Sequence, residues 1–498
     1  MRLDGARVCV AGLGVTGPSA ARALAARGAR VVAVDARETV REQAVADELR
    51  GLGVEVRLGP AAVEVLPDGV ELVVTSPGWR PGQPLLAAAA AAGVPVWGDV
   101  ELAWRLRPAG QPWLGVTGTN GKTTTVQMLA AILGAAGLRA VAAGNVGLPV
   151  LDAALAEPPY DVIAVELSSF QLHWTSTVAL QAGALLNLAP DHLDWHGSMT
   201  AYASDKSAVW RGGAVAVLNA DDPAVLALAA TEATGPTVSF TLGEPGPGQL
   251  GVRDGTLLER AYRPASGAAS SATGGGAGTV GAAAPESQGV VLAEVTDVRP
   301  AAPHNVANAL AAAALARSLD HAGLVAVPPE AVRAGLRAFD PGAHRIAPVG
   351  TVDGVAWVDD SKATNPHAAA ASLQAFDRVV WVAGGLAKGA TFDGLVEGAA
   401  GRLRGAVLIG QDRALIAEAL ARHAPEIPVV EVAATDTGAM DAAALMDEVV
   451  RAAATLARPG DTVLLAPACA SMDQFRDYAE RGDSFAAAVA RLAGGQPR

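Results

Sequence analysis

Short apolar segments alternate with alanine-rich segments along almost the whole chain of 498 residues. In the first hundred residues, four segments are typical of buried β-strands: ARVCVAG, ARVVAVD, VEVRLG and VELVVTSPG. The alanine-rich segment PSAARALAARG is typical of a helix. The same alternation resumes near Gln111 and again near His344. Strands separated by helices favour parallel sheets covered by helices, so the sequence predicts an α/β protein.

Three blocks of this alternation predict three domains. We place them at residues 1–100, 101–341 and 342–498. Within the second block, residues 264–288 are almost all Ala, Gly, Ser and Thr. Such a segment cannot bury enough apolar surface to offset the entropy lost on ordering. We therefore predict a disordered surface insertion there.

Composition disfavours several classes of function. The net charge is -13, which argues against binding nucleic acid through a basic surface. The alanine-rich run at residues 85–92 is far too short to span a membrane. The two cysteines, Cys9 and Cys469, lie in separate apolar segments, typical of free thiols in a reducing compartment. We expect a cytoplasmic enzyme, a monomer, with neither nucleic-acid nor membrane partners.

Lysine is rare in this chain. Of 37 basic residues only four are lysines: Lys122, Lys206, Lys362 and Lys388. Arginine serves wherever a cation only has to be positive and solvated. A retained lysine therefore indicates a task that needs a compact amine able to lose its proton. Three of the four lie in Gly-, Asn- or Asp-rich stretches typical of ligand-binding loops.

The strongest single motif is GVTGTNGKTTT at residues 115–125, between a short predicted strand and a long predicted helix. Successive backbone N–H groups and the helix N-terminus would form a nest for phosphates. Lys122 would reach the terminal phosphates, and Thr123 would hold Mg²⁺. The motif is not a strict Walker A sequence, but its GKTT core in this context predicts nucleotide binding.

A second glycine-rich loop follows the first predicted strand. Gly12, Gly14 and Gly17 precede a helix, and Asp35 ends the second strand. This spacing is typical of a dinucleotide-binding loop, with the acidic residue placed for a ribose hydroxyl. NAD and a nucleotide sugar fit the pattern equally, and a structural turn that binds nothing is the alternative.

Two polar residues lie at or after the ends of predicted strands of the second block: Glu166 ends one strand, and His192 follows another. Glu166 lies in AVELSSFQL and His192 in NLAPDHLDWHG. Carboxyl ends of parallel strands face one crevice, and carboxylate and imidazole both bind divalent metals. We predict both as metal ligands, with Asp191, Asp194 and His196 as competing candidates.

Two asparagines, Asn305 and Asn308, stand at the start of an alanine-rich helix. Asparagine is a good helix cap, so a purely structural role is one interpretation. Two amides on adjoining turns could equally contact a base or a phosphate.

Seven motifs occur along the chain in the following order: GVTGTNGKTT, VELSSFQL, DHLDWHGS, VLNADD, HNVANALAA, DDSKATNP and PACASMDQF. With them the chain resembles the Mur ligases of peptidoglycan synthesis along essentially its whole length. Four segments are similar to the family member that joins D-glutamate to UDP-N-acetylmuramoyl-L-alanine: GLGVTG, DSKATN, AGGLAKGATF and ACASMDQF.

The resemblance implies an α/β fold of three domains. The N-terminal, Rossmann-like domain would hold the UDP part of the substrate. The central domain, P-loop ATPase-like with a parallel or mixed sheet, would hold ATP and two Mg²⁺ ions. The C-terminal, Rossmann-like domain would bring the amino acid.

The resemblance also implies a reaction. ATP would phosphorylate the substrate carboxylate, and the amine of D-glutamate would attack the acyl phosphate. Catalysis would then consist mostly of positioning and charge neutralisation. Three alternatives stay open: a Mur ligase for another amino acid, an NAD-dependent oxidoreductase, and a nucleotide-binding protein without chemistry.

Matched position by position, the resemblance implies the following roles. The expected catalytic residues are Lys122, Lys206, His192 and Lys362. The expected metal ligands are Thr123, Glu166, His192 and Lys206, the last as a carbamate. The expected ATP contacts are Gly118, Thr119, Asn120, Gly121, Lys122, Thr123, Thr124, Asn305, Asn308, Arg345 and Asp360. The expected substrate contacts are Val15, Thr16, Asp35, Arg37 and Ser76 for uridine, Asn145 and Ser168 for the muramoyl part, and Thr364, Lys388, Ser471 and Tyr478 for D-glutamate.

The chain departs from the family pattern at a few positions. Trp195 stands where an arginine is common after DHLD, and Tyr478 stands where phenylalanine is frequent. Leu386 stands where an acidic residue can occur. Residues 264–288 lie outside the pattern.

Overall fold

The computed structural model describes most of the chain, namely residues 2–145, 147–262, 289–432 and 441–494. Over these residues the chain forms three sheets. It divides into two compact units: Met1–Val298 with Asn305–Phe339, and Arg299–His304 with Asp340–Arg498. The predicted insertion at residues 264–288 lies outside the described residues.

The first sheet has five parallel strands in the order β3-β2-β1-β4-β5. Its strands are β1 (Arg7–Ala11), β2 (Arg30–Asp35), β3 (Glu55–Leu58), β4 (Leu72–Thr75) and β5 (Val96–Gly98). Its helices are α1 (Gly17–Ala25), α2 (Val40–Gly51), α3 (Pro84–Ala91) and α4 (Asp99–Leu106). The strand order reverses between β1 and β4, which opens a crevice at their carboxyl ends.

The second sheet has nine strands in the order β14-β13-β12-β11-β10-β9-β6-β8-β7. Its strands are β6 (Trp113–Thr117), β7 (Ala140–Gly144), β8 (Val162–Glu166), β9 (Ala182–Leu185), β10 (Val215–Asn219), β11 (Thr237–Phe240), β12 (Gln249–Arg253), β13 (Thr256–Glu259) and β14 (Val290–Glu294). Its helices are α5 (Lys122–Ala135), α6 (Val150–Ala154), α7 (Ser169–His173), α8 (Leu193–His196), α9 (Met199–Ser207), α10 (Pro223–Glu232), α11 (Pro303–His321) and α12 (Pro329–Ala338). Strands β12 to β14 pair antiparallel, so the sheet is mixed.

The third sheet has six strands in the order β15-β16-β20-β17-β18-β19. Its strands are β15 (Ala347–Val352), β16 (Val355–Asp359), β17 (Val379–Gly384), β18 (Leu403–Ile409), β19 (Val429–Glu431) and β20 (Thr462–Leu465). Its helices are α13 (Pro366–Leu373), α14 (Asp393–Ala399), α15 (Arg413–His423), α16 (Ala442–Leu456) and α17 (Tyr478–Gly494). Among the described strands of this sheet, β15 and β16 pair antiparallel and the other pairs are parallel.

Apolar side chains cover both faces of the sheets. One buried cluster continues from the first sheet to one face of the second, which explains why the two sheets belong to one unit. The other face of the second sheet packs against α5, α11 and α12, where residues 309–316 are fully buried. Aromatic residues make up only 4% of the chain, so small side chains let these helices approach the sheet closely. Within the described part of the chain, no helix combines the length and apolarity needed to cross a membrane.

Candidate active site

Four loops at one edge of the central sheet carry most of the expected ATP and metal residues. They follow β6, β7, β8 and β9, which lie side by side in the order β9-β6-β8-β7. These strands run parallel, so their carboxyl ends meet at the same edge. The structure thus brings the phosphate-loop motif together with Asn145, Glu166 and His192.

The loop between β6 and α5 has the backbone of a phosphate-binding loop. Gly118 and Gly121 have φ angles of +153° and +84°, which glycine adopts without steric cost. A Cβ at Gly121 would lie 2.5 Å from Asn308 Oδ1, so α11 packs directly on this loop. Asn308 Nδ2 donates to Asn305 Oδ1 at 3.3 Å. Helix α11 begins at Pro303, ahead of both asparagines, so neither caps it.

Lys122 begins α5 and turns back over the loop. Its Nζ donates to Gly118 O and Thr119 O, at 2.8 Å each. Thr123 and Thr124 follow, half-buried, in the first turn of α5. The helix is 14 residues long, and its N-terminal N–H groups and dipole favour an anion at this loop. Charge and backbone donors therefore converge at one point.

Sequence analysis missed a residue that holds the phosphate loop. Asn187, just beyond β9, accepts from Asn120 N at 2.8 Å and donates to Asn120 O at 3.1 Å. Its backbone oxygen accepts from Thr119 N at 3.1 Å. The only signal in the sequence was an asparagine at the end of an apolar strand, which is too common to single out.

Lys206 on α9 is buried, with 1% of its surface exposed. Its Nζ donates to Gly118 O at 2.9 Å and to Thr117 Oγ1 at 3.4 Å, and lies 4.7 Å from the Tyr202 ring centroid. Burial, reinforced by the ammonium of Lys122, lowers the pKa of Lys206 well below its usual value. The site therefore favours the neutral amine.

Glu166 ends β8 with 1% of its surface exposed. Its Oε1 accepts from Asn145 Nδ2 at 2.9 Å. Its Oε2 is buried and has no hydrogen-bond partner within the described ranges. An unpaired buried acceptor costs about 1–3 kcal/mol, and more if it is charged. The arrangement therefore favours a bound cation.

His192 precedes α8 with a φ of +53°. Its ring packs against Phe170, with 4.7 Å between ring centroids, and its Nε2 lies 3.4 Å from Asp191 Oδ2. Burial lowers the pKa of His192; the Asp191 carboxylate opposes this, and the ammonium of Lys122 adds to it. A neutral imidazole is the form that binds metals.

These residues fit Mg²⁺ that arrives with a nucleotide. Among the residues that the structure describes, no three His, Cys, Asp or Glu side chains form a metal site by themselves. The groups that could bind a metal here are the hydroxyl of Thr123, the unpaired oxygen of Glu166 and the imidazole of His192. Mg²⁺ is usually bound by one or two protein groups together with substrate phosphates, so a short donor set is sufficient.

The first sheet gathers the residues expected at the uridine part. Asp35 accepts from Leu13 N at 2.7 Å and from Arg37 Nε and Nη2 at 3.1 Å each. Burial would raise the pKa of Asp35, but the Arg37 and Leu13 bonds outweigh it and lower that pKa. The carboxylate thus holds the glycine loop and Arg37 in place.

The tip of the first glycine loop lies beside the end of β4. Ser76 Oγ donates to Gly12 O at 3.2 Å, and a Cβ at Gly12 would lie 2.6 Å from Ser76 Oγ. Val15 at the tip is 71% exposed, and Thr16 precedes α1. All five residues expected at the uridine part therefore surround one loop.

Ser168 has a structural role that the sequence did not reveal. Its Oγ accepts from Gln171 N at 3.2 Å, and its own N donates to Gln171 Oε1 at 3.1 Å. This reciprocal pair is a capping box for α7. The expected contact of Ser168 with the muramoyl part stays a prediction.

The second unit holds the residues expected at D-glutamate. Lys362 Nζ lies 3.8 Å from the centroid of the Tyr478 ring. The loop that carries the exposed Lys388 forms two backbone hydrogen bonds with Ala470, the neighbour of Ser471. The structure thus links the loops of Lys388 and Ser471, and brings Lys362 against Tyr478.

The ATP residues expected after residue 340 also belong to the second unit. Asp360 is buried and accepts from Ile346 N at 3.2 Å and from the Ser372 hydroxyl. Burial raises the pKa of Asp360 to about 7. Arg345 Nη1 donates to Pro341 O at 3.3 Å. In the same unit Thr364, which is expected at D-glutamate, donates its backbone N–H to Lys362 O at 2.9 Å. The expected ATP contacts are therefore divided between the two units.

Three family models match the chain. They are the Mur ligase MurD-like N-terminal domain at residues 6–98, the Mur ligase middle domain at 116–257, and the Mur ligase glutamate ligase domain at 344–469. The chain belongs to the Mur ligase family. This assignment confirms the resemblance and replaces the oxidoreductase interpretation of the first glycine loop.

Relatives of the Mur ligase match over their whole length. One from Streptomyces coelicolor is 58% identical over 499 residues and covers 98% of both chains. One from Thermobifida fusca is 57% identical over 498 residues, covering 99% of this chain and 100% of the relative. Both bear the name UDP-N-acetylmuramoylalanine–D-glutamate ligase.

Solved structures of Mur ligases share the fold. MurC from Thermotoga maritima has a TM-score of 0.54 at 18% identity, over 98% of this chain and 100% of that one. MurF from Acinetobacter baumannii has a TM-score of 0.55 at 18% identity, over 99% of this chain and 91% of that one. The predicted α/β fold of three domains is confirmed; the boundaries after residues 100 and 341 stay predictions.

The Mur ligase pattern commonly has an arginine where this chain has Trp195. The Trp195 ring packs against Phe170 and His173, with ring centroids 4.9 and 5.0 Å away. The preceding residue, Asp194, pairs with Arg80 at 2.7 Å. Arg80 therefore supplies a guanidinium beside this segment from 114 residues away in sequence, which no local motif could reveal.

Arg481 of the Mur ligase was also missed by sequence analysis. It is fully buried in α17 and donates to Ser361 Oγ at 2.9 Å, Ser361 O at 2.8 Å and Cys469 O at 3.2 Å. Burial lowers the pKa of Arg481 to about 10. It joins the loop of Lys362 to the loop of Ser471. The sequence alone did not single out Arg481, because it resembles any arginine on the polar face of a helix.

Proposed function

We propose that this Mur ligase joins D-glutamate to UDP-N-acetylmuramoyl-L-alanine in the synthesis of peptidoglycan precursors, with ATP converted to ADP and phosphate. The observation that carries the proposal is the phosphate loop beside Glu166, whose buried Oε2 has no hydrogen-bond partner among the described residues, and beside the buried amine of Lys206. The whole-length identity to D-glutamate ligases supports the choice of substrates.

The phosphate loop would hold the transferred group. The N–H groups at the start of α5 and the ammonium of Lys122 would bind the terminal phosphates of ATP. Thr123, Glu166 and His192 would hold Mg²⁺. Bound there, Mg²⁺ would neutralise phosphate charge and polarise the phosphoryl group.

Two displacements complete the reaction. An oxygen of the muramoyl-alanine carboxylate attacks the γ-phosphorus of ATP, and ADP leaves. The neutral amine of D-glutamate then attacks the acyl carbon, inorganic phosphate leaves, and the amine loses a proton. The carboxylate is a poor electrophile, so phosphorylation supplies the leaving group, and the protein mainly positions and neutralises charge.

Residues of the second unit would receive D-glutamate. Lys362 and Lys388 offer ammonium groups for its carboxylates. Thr364, Ser471 and Tyr478 would supply the remaining contacts. A ligand with two carboxylates suits a region that keeps two of the four lysines of the chain.

We also propose that Lys206 carries a carbamate. Its neutral amine can add to CO₂, forming an N–C bond and releasing one proton, whereas arginine stays protonated. The burial of Lys206 supports this role. Protein equilibrated with ¹³C-labelled bicarbonate should show a carbamate carbon signal by NMR that Lys206→Ala lacks. Equal spectra would rule the carbamate out.

Phosphate release tests the overall proposal. Purified protein with UDP-N-acetylmuramoyl-L-alanine, ATP and Mg²⁺ should release phosphate when D-glutamate is added, and not with L-glutamate or L-alanine. Release with another amino acid would instead identify a different Mur ligase, and no release with any would refute ligase activity.

We further propose that the enzyme works as a cytoplasmic monomer. The cytoplasm supplies ATP and a reducing environment that suits its free, buried cysteines. Sedimentation at the mass of a dimer would contradict the monomer, and fractionation with the cell envelope would contradict the location.

A further inference from the structure

A cluster of hydrogen-bonded side chains lies on the helices that follow the candidate metal residues. We call it the Asp205 cluster; it consists of Asp205, His173, His196 and Ser169. His173 Nδ1 lies 3.0 Å from Asp205 Oδ1, and His196 Nδ1 lies 2.8 Å from Asp205 Oδ2. His196 Nε2 lies 3.0 Å from Ser169 Oγ. One carboxylate therefore ties three short helices together.

The hydrogen-bond partners of His196 indicate which of its ring nitrogens carries a proton. An ionised carboxylate only accepts hydrogen bonds, so His196 Nδ1 carries a proton and donates to Asp205. The imidazole is fully buried, and burial lowers the pKa of His196. In the neutral ring that burial favours, Nε2 accepts from the hydroxyl of Ser169, 3.0 Å away. Both ring nitrogens are thus engaged, each with a different helix.

Asp205 and Lys206 are consecutive residues of α9. Consecutive helical residues point about 100° apart, so the two side chains face different surroundings. Asp205 faces α7 and α8 through its histidine partners, while Lys206 faces the phosphate loop and bonds Gly118 O at 2.9 Å. Fixing the carboxylate of Asp205 therefore fixes the rotation of α9 and with it the direction of Lys206.

The other partners are equally close to metal residues. His196 ends α8, one helical turn after His192. Ser169 begins α7, three residues after Glu166. Helices α7 and α8 have only five and four residues, too short to be stable by themselves. Their orientation therefore depends on side-chain contacts such as those of His196.

We propose that the Asp205 cluster holds Glu166, His192 and Lys206 in register for metal binding. We assign its members as positioning residues, because their hydrogen bonds join one another and orient the segments that would bind substrate and metal. This inference rests on the proposed ligase function and adds that metal binding requires the hydrogen bonds of the Asp205 cluster. Partners behind metal-binding groups typically change metal affinity or activity about 10–100-fold when they are removed.

His196→Phe is the most direct test. Phenylalanine keeps the aromatic ring stacked on Phe170, where the centroid separation is 5.5 Å and the interplanar angle 1°, and removes both hydrogen bonds. The Mg²⁺ concentration for half-maximal phosphate release should rise about 10–100-fold. The KM for D-glutamate should stay unchanged, because its expected residues lie in the second unit. Mn²⁺ titration of the ADP complex by electron paramagnetic resonance should show the same loss of affinity without turnover.

A matched pair of variants separates positioning from general damage. His173→Phe and His423→Phe each remove one His–Asp bond from a partly exposed ring, since the side chains are 29% and 28% exposed. His423 pairs with Asp393 at 2.8 Å in the second unit. His173→Phe should weaken Mn²⁺ binding by several-fold, and His423→Phe should leave it unchanged.

Unchanged Mn²⁺ affinity and Mg²⁺ dependence in folded His196→Phe would overturn the proposal. If that variant does not fold, Ser169→Ala removes one hydrogen bond with little change in packing and should still weaken Mn²⁺ binding. A Ser169→Ala protein that binds Mn²⁺ as tightly as the wild type would also overturn the proposal. Wild-type protein that binds Mn²⁺–ADP but forms no product would refute the ligase function alone, because the Mn²⁺ titrations still test the cluster.

Discussion

Replacement of Glu166 by glutamine should stabilise the protein and disable the enzyme. In the folded chain Glu166 Oε1 accepts from Asn145, while Oε2 is buried without a partner among the residues described. Glutamine has nearly the same shape and can keep the Asn145 bond, but it carries no charge. The substitution therefore removes a charged group that only a cation would satisfy.

The magnitude follows from the cost of that unpaired oxygen. Glutamine places an NH2 group where Oε2 lies, and an unpaired neutral group costs less than an unpaired charged one. Without metal, Glu166→Gln should therefore raise the free energy of unfolding by about 1–3 kcal/mol. The unit that contains Glu166 spans Met1–Val298 and Asn305–Phe339, and in a unit of that size each kcal/mol corresponds to roughly 1–2 °C in Tm. With substrates, losing about 3 kcal/mol of the charge stabilisation that a metal provides should lower kcat about 100-fold.

A second buried glutamate provides the control. Glu101 is fully buried, and its carboxylate accepts from Ser176 N at 2.8 Å, Thr177 N at 3.0 Å and Arg105 Nε at 2.7 Å. Glu101→Gln loses charge-assisted bonds of about 1.5–3 kcal/mol and should lower Tm. The same substitution should thus have opposite effects at Glu166 and Glu101.

Calorimetry in EDTA measures the Tm of the metal-free variants, and the phosphate-release assay measures their kcat. The reasoning is refuted if Glu166→Gln melts below the wild type in EDTA while keeping its Mg²⁺-dependent kcat. A lower Tm together with a lower kcat would show that Oε2 is satisfied in the metal-free protein.

Four further outcomes are expected. Lys206→Ala should abolish phosphate release and recover part of it with added acetate; no rescue in a folded variant would count against the carbamate. Lys122→Arg should lower kcat/KM for ATP about 10–100-fold, the value of one charge-assisted bond, because a planar guanidinium cannot occupy the place of a compact ammonium. Gly121→Ala should cost about 1–2 kcal/mol for its left-handed backbone and raise KM for ATP, since its Cβ would meet Asn308; wild-type Tm and KM would contradict this. Burial would raise the pKa of Glu101, but its hydrogen bonds lower it from 4.5 to about 2. The contribution of the ionised Glu101 to the free energy of unfolding is therefore present above pH 4.5 and lost between pH 4.5 and about 2. Acid titrations of the stability of Glu101→Gln should lack this pH-dependent contribution.

Local patterns were sufficient for the α/β class of the fold. Alternating apolar strands and alanine-rich helices predicted an α/β chain, because a two-residue and a 3.6-residue period leave different traces in sequence. Strands β12 to β14 were not predicted, since their apolar residues are mixed with charged residues and glycines. The mixed character of the central sheet comes from these edge strands.

Residue types indicated the chemistry of the phosphate loop. The GKTT core and the rarity of lysine singled out Lys122 and Lys206, because arginine cannot replace a compact or neutral amine. Glu166 was predicted to end one strand and His192 to follow another, and the parallel sheet puts the carboxyl ends of those strands at one edge. Their specific roles stay predictions.

Burial and long-range partners were decided only by tertiary structure. The burial of the Lys206 amine, the unpaired oxygen of Glu166 and the buried guanidinium of Arg481 depend on groups far away in sequence. Arg80 beside Asp194 and the Asp205 cluster belong to the same class, because a side chain's environment is set by elements that the fold brings together. The sequence by itself determined which backbone elements and reactive groups the chain has; the packing of its helices on the sheets determined which groups lose their solvent and therefore what each can do.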